Sequence, residues 1–354
     1  MKAAVRIRRA LVTWYRNNKR DLPWRRTHDP YAIWISETML QQTRVEAVIP
    51  YWERWMKRFP DVAALATADA DDVMGHWAGL GYYSRARNLH AAARTVVEEL
   101  GGELPDDVAG LRDLKGVGRY TAGAVASIAF DRPAPVVDGN VARVLTRLLE
   151  IREDVASPSV VERLWKEAAA LARGPNPGDL NQALMELGAT VCTPRAPHCS
   201  DCPLTRCCGA RAAGDPETMP VKQPKASPRR VEAVCALVCR RGRALAVRRP
   251  PHGLLGGLWE LPGGELEQVE AAEKGLARSL RERVGLDVKG VERVGSVRHV
   301  FTHRVLELTV FRAEARGGRV SLDGFDAHRW LARESLADLP TSSVARKAMA
   351  LAAS

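Results

Sequence analysis

The spacing of apolar residues divides the 354-residue chain into two parts of different architecture. From residue 3 to about 190, apolar residues recur at i, i+3 and i+4 behind a capping residue, which is typical of amphipathic helices. Clear examples begin at Asp61, Asp69 and Ser159. Strand patterns are nearly absent from this part, so we predict that it is all-α.

The pattern changes after a polar segment at residues 214–230, in which four prolines interrupt the chain. Such a composition is typical of a linker. Beyond it, short Val-rich runs predict strands around one helical stretch at 269–284. The strand candidates are Val231–Cys239, Ala244–Arg248, Val294–Arg298 and Val305–Arg312. We therefore predict a multidomain protein with a helical domain at 1–213 and a mixed α/β domain at 231–354.

Composition and charge narrow the class of protein. Hydrophobic residues make up 46% of the chain and charged residues 27%, as in globular proteins with sizeable cores. No apolar stretch reaches the roughly 18 residues of a membrane span. The net charge is +11, and residues 229–354 carry 22 basic and 15 acidic residues, which favours a polyanionic partner. The basic N-terminus lacks the apolar region of a secretory signal, so we expect a cytoplasmic, nucleoid-associated protein without membrane contact.

Five of the seven cysteines lie within 17 residues, which indicates a metal site rather than a set of disulfides. Four cysteines suit both zinc and an iron–sulfur cubane. Only one short C-x2-C pair is present, whereas zinc sites usually use two. We therefore predict a [4Fe–4S] cluster in the loop 192–208, held by Cys192, Cys199, Cys202 and Cys208. Spacing alone leaves Cys207 open as the fourth ligand in place of Cys208.

Two motifs in the helical part carry candidate chemistry. The segment Leu114–Ala122 (LKGVGRYTA) contains Gly116 and Gly118 in a tight turn before a helix of small residues. Glycines permit positive φ and let backbone N–H groups at a helix N-terminus approach a phosphate. Twenty residues past Gly118, Asp138 begins the sequence Asp-Gly-Asn. Alone, the glycine motif is equally compatible with a plain helix–turn–helix connection, and an acid followed by Gly and Asn at a helix start is usually just an N-cap.

Together, the hairpin, Asp138 and the cysteine loop resemble the helix–hairpin–helix DNA glycosylase superfamily. Four further stretches are similar to its MutY-type, adenine-specific family, and the resemblance covers essentially the whole chain. These stretches are Leu22–Arg25 (LPWR), Trp34–Thr43 (WISETMLQQT), Gly79–Leu89 (GLGYYSRARNL) and Asn181–Gly188 (NQALMELG). The resemblance implies a monomeric base excision repair enzyme that removes adenine mispaired with 8-oxoguanine or guanine in duplex DNA.

Cleavage of an N-glycosidic bond needs a proton on the leaving base and a negative charge beside the sugar cation. Glu37 lies among apolar helix residues, whose burial would raise its pKa and keep it usable as an acid. The resemblance implies that Glu37 protonates N7 of the flipped adenine and then helps to activate water. It also implies that Asp138 stabilises the cation and that Tyr120 and Asn140 position the two carboxylates.

Position 120 distinguishes two branches of the superfamily. Relatives that also cut the strand carry a Schiff-base lysine eighteen residues before the aspartate, where this chain has Tyr120. Because a phenol cannot form an imine, we predict a monofunctional glycosylase that leaves an abasic site.

The resemblance also implies which residues contact DNA. A flipped base leaves a gap in the duplex that inserted side chains fill. The assigned residues are Gln42 and Tyr82 with Leu40 at the gap, Arg25 and Gln182 at the adenine, and Lys115, Gly116 and Gly118 at a phosphate.

The second domain resembles NUDIX hydrolases. Residues 264–286 align with the NUDIX box, but Ser279 and Arg283 stand where two Mg²⁺-binding acids belong, and only Glu282 is kept. We therefore expect the fold without the hydrolase activity. The family's domain of this type recognises 8-oxoguanine through a Phe-Ser-His loop. The corresponding residues here are Phe301, Thr302 and His303, and the threonine hydroxyl keeps the hydrogen-bonding capacity of serine.

Three alternatives compete with this interpretation. A pyrimidine glycosylase with lyase activity, similar to endonuclease III, is disfavoured by Tyr120 and by the second domain. A nucleotide pyrophosphohydrolase with a helical DNA-binding appendage is disfavoured by the missing NUDIX acids. A non-catalytic iron–sulfur DNA-binding protein is disfavoured because Glu37 and Asp138 are both present.

Overall fold

The computed structural model describes residues 2–223, 227–301 and 304–353. The chain divides into two compact units, Met1–Thr67 with Asn88–Pro224 and Ala68–Arg87 with Lys225–Ser354. The second unit thus includes a segment from the helical half, while the domain boundaries at 213 and 230 stay a prediction. None of the described helices combines the length and apolar character that crossing a membrane requires.

The prediction that the first part of the chain is helical is confirmed. Its helices are α1 (Lys2–Asn18), α2 (Pro30–Leu40), α3 (Val45–Arg58), α4 (Val62–Thr67), α5 (Ala70–Trp77), α6 (Ser84–Glu99), α7 (Val108–Asp113), α8 (Arg119–Ile128), α9 (Gly139–Leu148), α10 (Pro158–Ala172), α11 (Pro177–Thr190) and α12 (Gly209–Ala212). The carboxylates of Asp61 and Asp69 accept hydrogen bonds from backbone N–H groups of α4 and α5, as predicted. The start predicted at Ser159 is wrong by two residues, because Pro158 takes the first helical position and Ser157 becomes the N-cap.

The core of the first unit joins α1, α9, α10 and α11. Leu11 and Tyr15 of α1 are almost completely buried and belong to the same apolar cluster as Leu145, Leu164 and Leu184 of the other three helices. Burial of this cluster holds α11 against α9. Both helices carry residues that line the site described below.

Glycines let the helices around Asp138 approach closely. A Cβ atom on Gly188 of α11 would lie 2.6 Å from Cβ and 2.9 Å from the backbone oxygen of Asn140. A Cβ atom on Gly123 of α8 would lie 2.2 Å from the backbone oxygen of Pro135. Both helices therefore contact the segment that contains Asp138 at a distance that only glycine allows.

Helices α7 and α8 form the predicted helix–hairpin–helix. Gly116 has φ +81°, and a Cβ atom there would lie 2.5 Å from Cβ of Asn88. Gly118, in contrast, has φ −86° and caps α8 in an extended conformation. A Cβ atom on Gly118 would meet nothing within 4 Å.

The part of the second unit that follows residue 227 is a mixed sheet with a helix on each face, which confirms the α/β prediction. Its strands are β1 (Arg229–Arg240), β2 (Arg243–Arg248), β3 (Trp259–Glu260), β4 (Gly263–Glu265), β5 (Val288–Val300), β6 (Arg304–Ala315) and β7 (Ala327–Leu331), and its helices are α13 (Ala272–Val284) and α14 (Ser343–Ala353). The strand order is β3-β2-β1-β6-β5, with β4 on β1 and β7 on β2, and only the pair of β1 and β6 is parallel among the described pairings.

Strand β1 is buried on both faces, which explains its continuous apolar sequence. Cys235 and Leu237 face the cluster that includes α14, whereas Val234, Ala236 and Val238 face the cluster that includes α13. The sheet therefore has two separate cores, one on each side.

Substitution of Gly188 tests the close packing of α11 on α9. Because a methyl group at 188 would overlap Asn140, the Gly188→Ala variant should lose about 1–3 kcal/mol of unfolding free energy and should shift the N-terminus of α9. Chemical denaturation measures this loss. The control is Gly139→Ala, one residue past Asp138, where the added methyl group meets nothing within 4 Å. Equal stability of the two variants would contradict the packing argument.

Candidate active site

One cavity of about 140 Å³ in the first unit brings the catalytic candidates together. Glu37 reaches it from α2, Tyr120 from the first turn of α8, and Asp138 and Asn140 from the start of α9. The other residues that line it are Arg20, Leu22, Trp24, Arg25, Leu40, Thr43, Val45, Gln182, Met185, Glu186 and Ala189. Arg25, Gln182 and Leu40, which the sequence assigned to DNA contacts, are thus lining residues.

Glu37 is a buried carboxyl group with one strong hydrogen bond. It lies on α2 among neighbours that are buried from Tyr31 to Met39, and its own exposure is 5%. The Tyr120 hydroxyl donates to Glu37 Oε2 at 2.6 Å. Burial raises the pKa of Glu37 to about 7, with a further contribution from Asp138, while the Tyr120 hydrogen bond and Arg25 act in the opposite direction. Near neutral pH, the group is therefore able both to donate and to accept a proton.

Asp138 is held by hydrogen bonds at the N-terminus of α9. Its Oδ1 accepts from the backbone N–H of Val141 at 2.7 Å, and its Oδ2 accepts from Nδ2 of Asn140 at 3.2 Å. Burial raises the pKa of Asp138, and these hydrogen bonds oppose that shift. Asn140 is itself oriented, because its Oδ1 accepts from Nη2 of Arg143 at 2.8 Å.

Glu186 is a site residue that sequence reasoning missed, although it lies in one of the quoted motifs. It accepts hydrogen bonds from the backbone N–H and guanidinium of Arg20 and from Nη2 of Arg25. Burial opposes its ionisation, but these donors outweigh burial and lower the pKa of Glu186 to about 2. The ion pairs fix Arg25 in the cavity wall. Next to it, Gln182 accepts from the Tyr15 hydroxyl at 2.9 Å.

The two residues predicted to insert into DNA share an unusual backbone. Gln42 in the first unit and Tyr82 in the second are exposed, with φ +57° and +48°. Left-handed residues other than glycine are strained and cluster at functional sites. Their sequence neighbours point elsewhere: Gln41 donates to Thr121 Oγ1 at 3.0 Å, and the buried Tyr83 donates to the backbone oxygen of Thr341 at 3.1 Å.

The hairpin tip presents backbone N–H groups and a cation. Lys115 and Gly116 are exposed in the turn, and Gly118 caps α8 without a side chain that could accept from the first N–H groups of the helix. An uncapped helix N-terminus is suited to an anion such as phosphate.

The four cysteines predicted to bind the cluster lie near one another. Burial raises the pKa of Cys202 to about 12, with contributions from Cys192, Cys208 and Cys199. Cys207 is exposed instead, and its thiol donates to the backbone oxygen of Leu204. The described residues contain no group of three or more His, Cys, Asp or Glu arranged around a single metal ion.

A buried arginine supplies positive charge beside these cysteines. Arg147, only 2% exposed, donates to Sγ of Cys192 at 3.3 Å and to backbone oxygens of Thr193, Pro194 and Met219. A buried guanidinium needs a nearby anion, and four thiolates with a cluster would provide one. The residues present therefore fit an iron–sulfur cluster.

In the second unit, Phe301 follows β5, and its backbone N–H donates to the backbone oxygen of Arg304 at 2.8 Å. Its ring contacts His299 edge-on, with 4.5 Å between ring centroids. Thr302 and His303, the other predicted recognition residues, lie outside the described residues.

Comparisons with known proteins agree with this geometry. A model of the HhH-GPD superfamily of base excision DNA repair proteins matches residues 35–170, and a NUDIX domain model matches residues 233–351. The human adenine DNA glycosylase is 40% identical over 96% of this chain and 73% of the relative, and the rat enzyme is 39% identical over 96% and 77%. A thermostable thymine-DNA glycosylase of known structure is 29% identical, with a TM-score of 0.53 over 60% of this chain and 98% of that one.

The fold, the site and the two matched models define a base excision DNA repair protein of the helix–hairpin–helix class with a NUDIX domain. Given its identity to the human and rat enzymes, the chain belongs to the adenine DNA glycosylase family.

The opposite pKa shifts of Glu37 and Glu186 predict opposite effects on stability. The pKa of Glu37 is raised to about 7, so the stability that its protonated form contributes is lost as pH rises from about 4.5 to 7. As the pH rises from 4.5 to 8, the unfolding free energy of the Glu37→Gln variant should therefore increase by about 3 kcal/mol relative to that of wild type. Chemical denaturation across this pH range measures the change.

Glu186 has a lowered pKa, so its contribution is present above pH 4.5 and is lost only as pH falls towards 2. The Glu186→Gln variant should therefore be less stable than wild type at pH 7. The matched control is Glu99→Gln, an exposed position on α6 that should change little at any pH. A stability difference between wild type and Glu37→Gln that is independent of pH would contradict the raised pKa.

Proposed function

We propose that this enzyme hydrolyses the N-glycosidic bond of adenine opposite 8-oxoguanine or guanine in duplex DNA and leaves the strand uncut. Membership of the adenine DNA glycosylase family supports adenine as the base that is removed. Because the proposed substrate is DNA, we place the enzyme at the nucleoid. The catalytic candidates share one cavity within one unit, which supports action as a monomer.

The observation that carries this proposal is the 2.6 Å hydrogen bond from Tyr120 to Glu37 in a cavity shared with Asp138. Glu37, with a pKa of about 7, is the acid that protonates N7 of the departing adenine and then helps to activate water. Asp138 is the carboxylate that stabilises the sugar cation. Tyr120 positions Glu37, and Asn140 positions Asp138.

Two observations support hydrolysis without strand cleavage. The residue eighteen positions before Asp138 is Tyr120, whose phenol cannot form an imine with the sugar. In addition, none of the described residues that line the cavity is a lysine. Water is therefore the proposed nucleophile, and the product is an abasic site.

The cavity volume of about 140 Å³ suits a single flipped base. In the proposal, Arg25 and Gln182 contact the adenine, and Leu40 closes the pocket beside the gap in the duplex. The strained, exposed residues Gln42 and Tyr82 fill that gap. The hairpin formed by Lys115, Gly116 and Gly118 binds a phosphate of the DNA backbone.

The NUDIX domain is the proposed reader of 8-oxoguanine. Phe301, Thr302 and His303 correspond to the Phe-Ser-His loop of the family, and the basic excess of residues 229–354 suits a surface that contacts DNA.

A [4Fe–4S] cluster is the proposed cofactor, held by Cys192, Cys199, Cys202 and Cys208. When bound, it stabilises the loop 192–208 and adds electrostatic attraction for DNA. Arg147 balances the charge of the thiolates, and no step of the glycosidic cleavage involves the cluster.

Single-turnover assays on labelled duplexes test the reaction. Wild type should release adenine opposite 8-oxoguanine or guanine, and the strand should break only after alkali treatment. Adenine opposite thymine and an oxidised pyrimidine should stay intact. The Glu37→Gln and Asp138→Asn variants should lose at least about 10²-fold in rate while keeping duplex affinity. Strand breaks without alkali would contradict the role given to position 120. Unimpaired excision by either variant would show that the replaced carboxylate does not have its assigned role.

The choice of fourth cluster ligand predicts different fates for two adjacent cysteines. Cys208 faces the other cysteines and Cys207 is exposed, so Cys208→Ser should lower the iron content per chain, whereas Cys207→Ser should retain it. Iron analysis and visible absorbance of the purified variants measure this. The reverse result would make Cys207 the ligand.

A further inference from the structure

The segment 68–87, which contains α5, the loop after it and the start of α6, packs on the NUDIX domain and belongs to the same compact unit. Near its start, the carboxylate of Asp71 pairs with the guanidinium of Arg329 at 3.5 Å. At its end, Arg87 donates to the backbone oxygen of Gly256. The segment therefore contacts the NUDIX domain on either side of the loop that carries the residue predicted to insert into DNA.

Between these contacts, the hydroxyl of Tyr83 joins the α5–α6 loop to the domain. Tyr83 is only 5% exposed. Its hydroxyl accepts from the backbone N–H of Gly79 at 3.3 Å and donates to the backbone oxygen of Thr341 at 3.1 Å. Thr341 is itself buried and forms a β-bridge with the buried Trp259, so the acceptor belongs to the core of the domain. One side-chain oxygen thus connects both ends of the loop with that core.

Tyr82 lies directly before this anchor in an unfavourable backbone conformation. Its φ is +48°, and the residue is 45% exposed. On its other side, the backbone oxygen of Gly81 accepts from Nε1 of Trp77 at 3.0 Å and from Nη2 of Arg85 at 3.1 Å. A left-handed tyrosine persists only where the surrounding contacts hold it. The residues immediately before and after Tyr82 make such contacts.

We propose that Tyr83 is a positioning residue, which through its hydrogen bond to Thr341 holds Tyr82 in the conformation that inserts into DNA. The inference rests on the proposed function, in which Tyr82 fills the gap in the duplex. Ordering a loop during binding has an entropic cost, and a loop that is ordered in advance avoids this cost. The NUDIX domain thus contributes to the extrusion of adenine through the α5–α6 loop, in addition to its proposed reading of 8-oxoguanine.

Single-turnover excision of adenine opposite 8-oxoguanine by the full chain tests this proposal. Tyr83→Phe keeps the ring and removes only the hydroxyl, so excision should slow about two- to tenfold. The matched control is Tyr31→Phe in the first unit. The buried Tyr31 hydroxyl likewise donates to a backbone oxygen, that of Phe59 at 2.9 Å, and accepts from Nε1 of Trp55 at 3.2 Å. Its loss should lower stability but leave the excision rate unchanged. Equal excision rates for the two variants would overturn the proposal.

A double-mutant cycle separates positioning from a general loss of stability. Tyr82→Ala should slow excision at least about tenfold. If Tyr83 acts through Tyr82, adding Tyr83→Phe to Tyr82→Ala should cause no further loss of rate. A further loss as large as that of Tyr83→Phe alone would overturn the proposal, because Tyr83 would then act independently of Tyr82.

The same variants distinguish a failure of this proposal from a failure of the proposed function. Wild-type excision by Tyr82→Ala would refute the insertion role of Tyr82 and, with it, the positioning role of Tyr83. Slow excision by Tyr82→Ala beside unimpaired excision by Tyr83→Phe would refute the positioning role alone.

Discussion

The burial of Glu37 against Tyr120 is the constraint on which the candidate active site depends. Water around a carboxyl group stabilises its ionised form, and α2 removes that water because its neighbouring side chains are buried. The hydrogen bond that the Tyr120 hydroxyl donates to Glu37 offsets only part of this loss. The group therefore keeps a proton near neutral pH, which a solvated glutamate would not do.

Glu186 shows that burial alone does not set the protonation state in this cavity. Its side chain is only 1% exposed, but Arg20 and Arg25 surround it, and its pKa falls to about 2. The two glutamates therefore differ in protonation state: Glu37 keeps a proton near neutral pH, whereas Glu186 is ionised and holds two arginines in the cavity wall. Ion pairs of the same kind occur in the NUDIX domain, where the retained Glu282 accepts a hydrogen bond from Arg278 and the nearby Glu260 and Glu265 accept from Arg249 and Arg304.

The sequence alone was sufficient to predict the structural features that depend on local patterns. Helix starts at Asp61 and Asp69, the hairpin and the longer strands could be predicted because their signals lie within a few residues of each other. The short strands β3, β4 and β7 could not, because two to five residues are too few for a period to emerge. The roles of Glu186 and Arg147 were also out of reach, since their partners lie 45 or more residues away in sequence.

The NUDIX domain keeps its fold although Ser279 and Arg283 replace two acids of the NUDIX box. Ser279 and Arg283 lie on α13, whose apolar residues pack on the sheet and need no metal ion. Loss of the two acids therefore leaves this apolar core intact. Without these acids, we expect the domain neither to gather Mg²⁺ nor to activate water for hydrolysis. Because folding and metal binding use different residues of the same helix, one can be lost without the other.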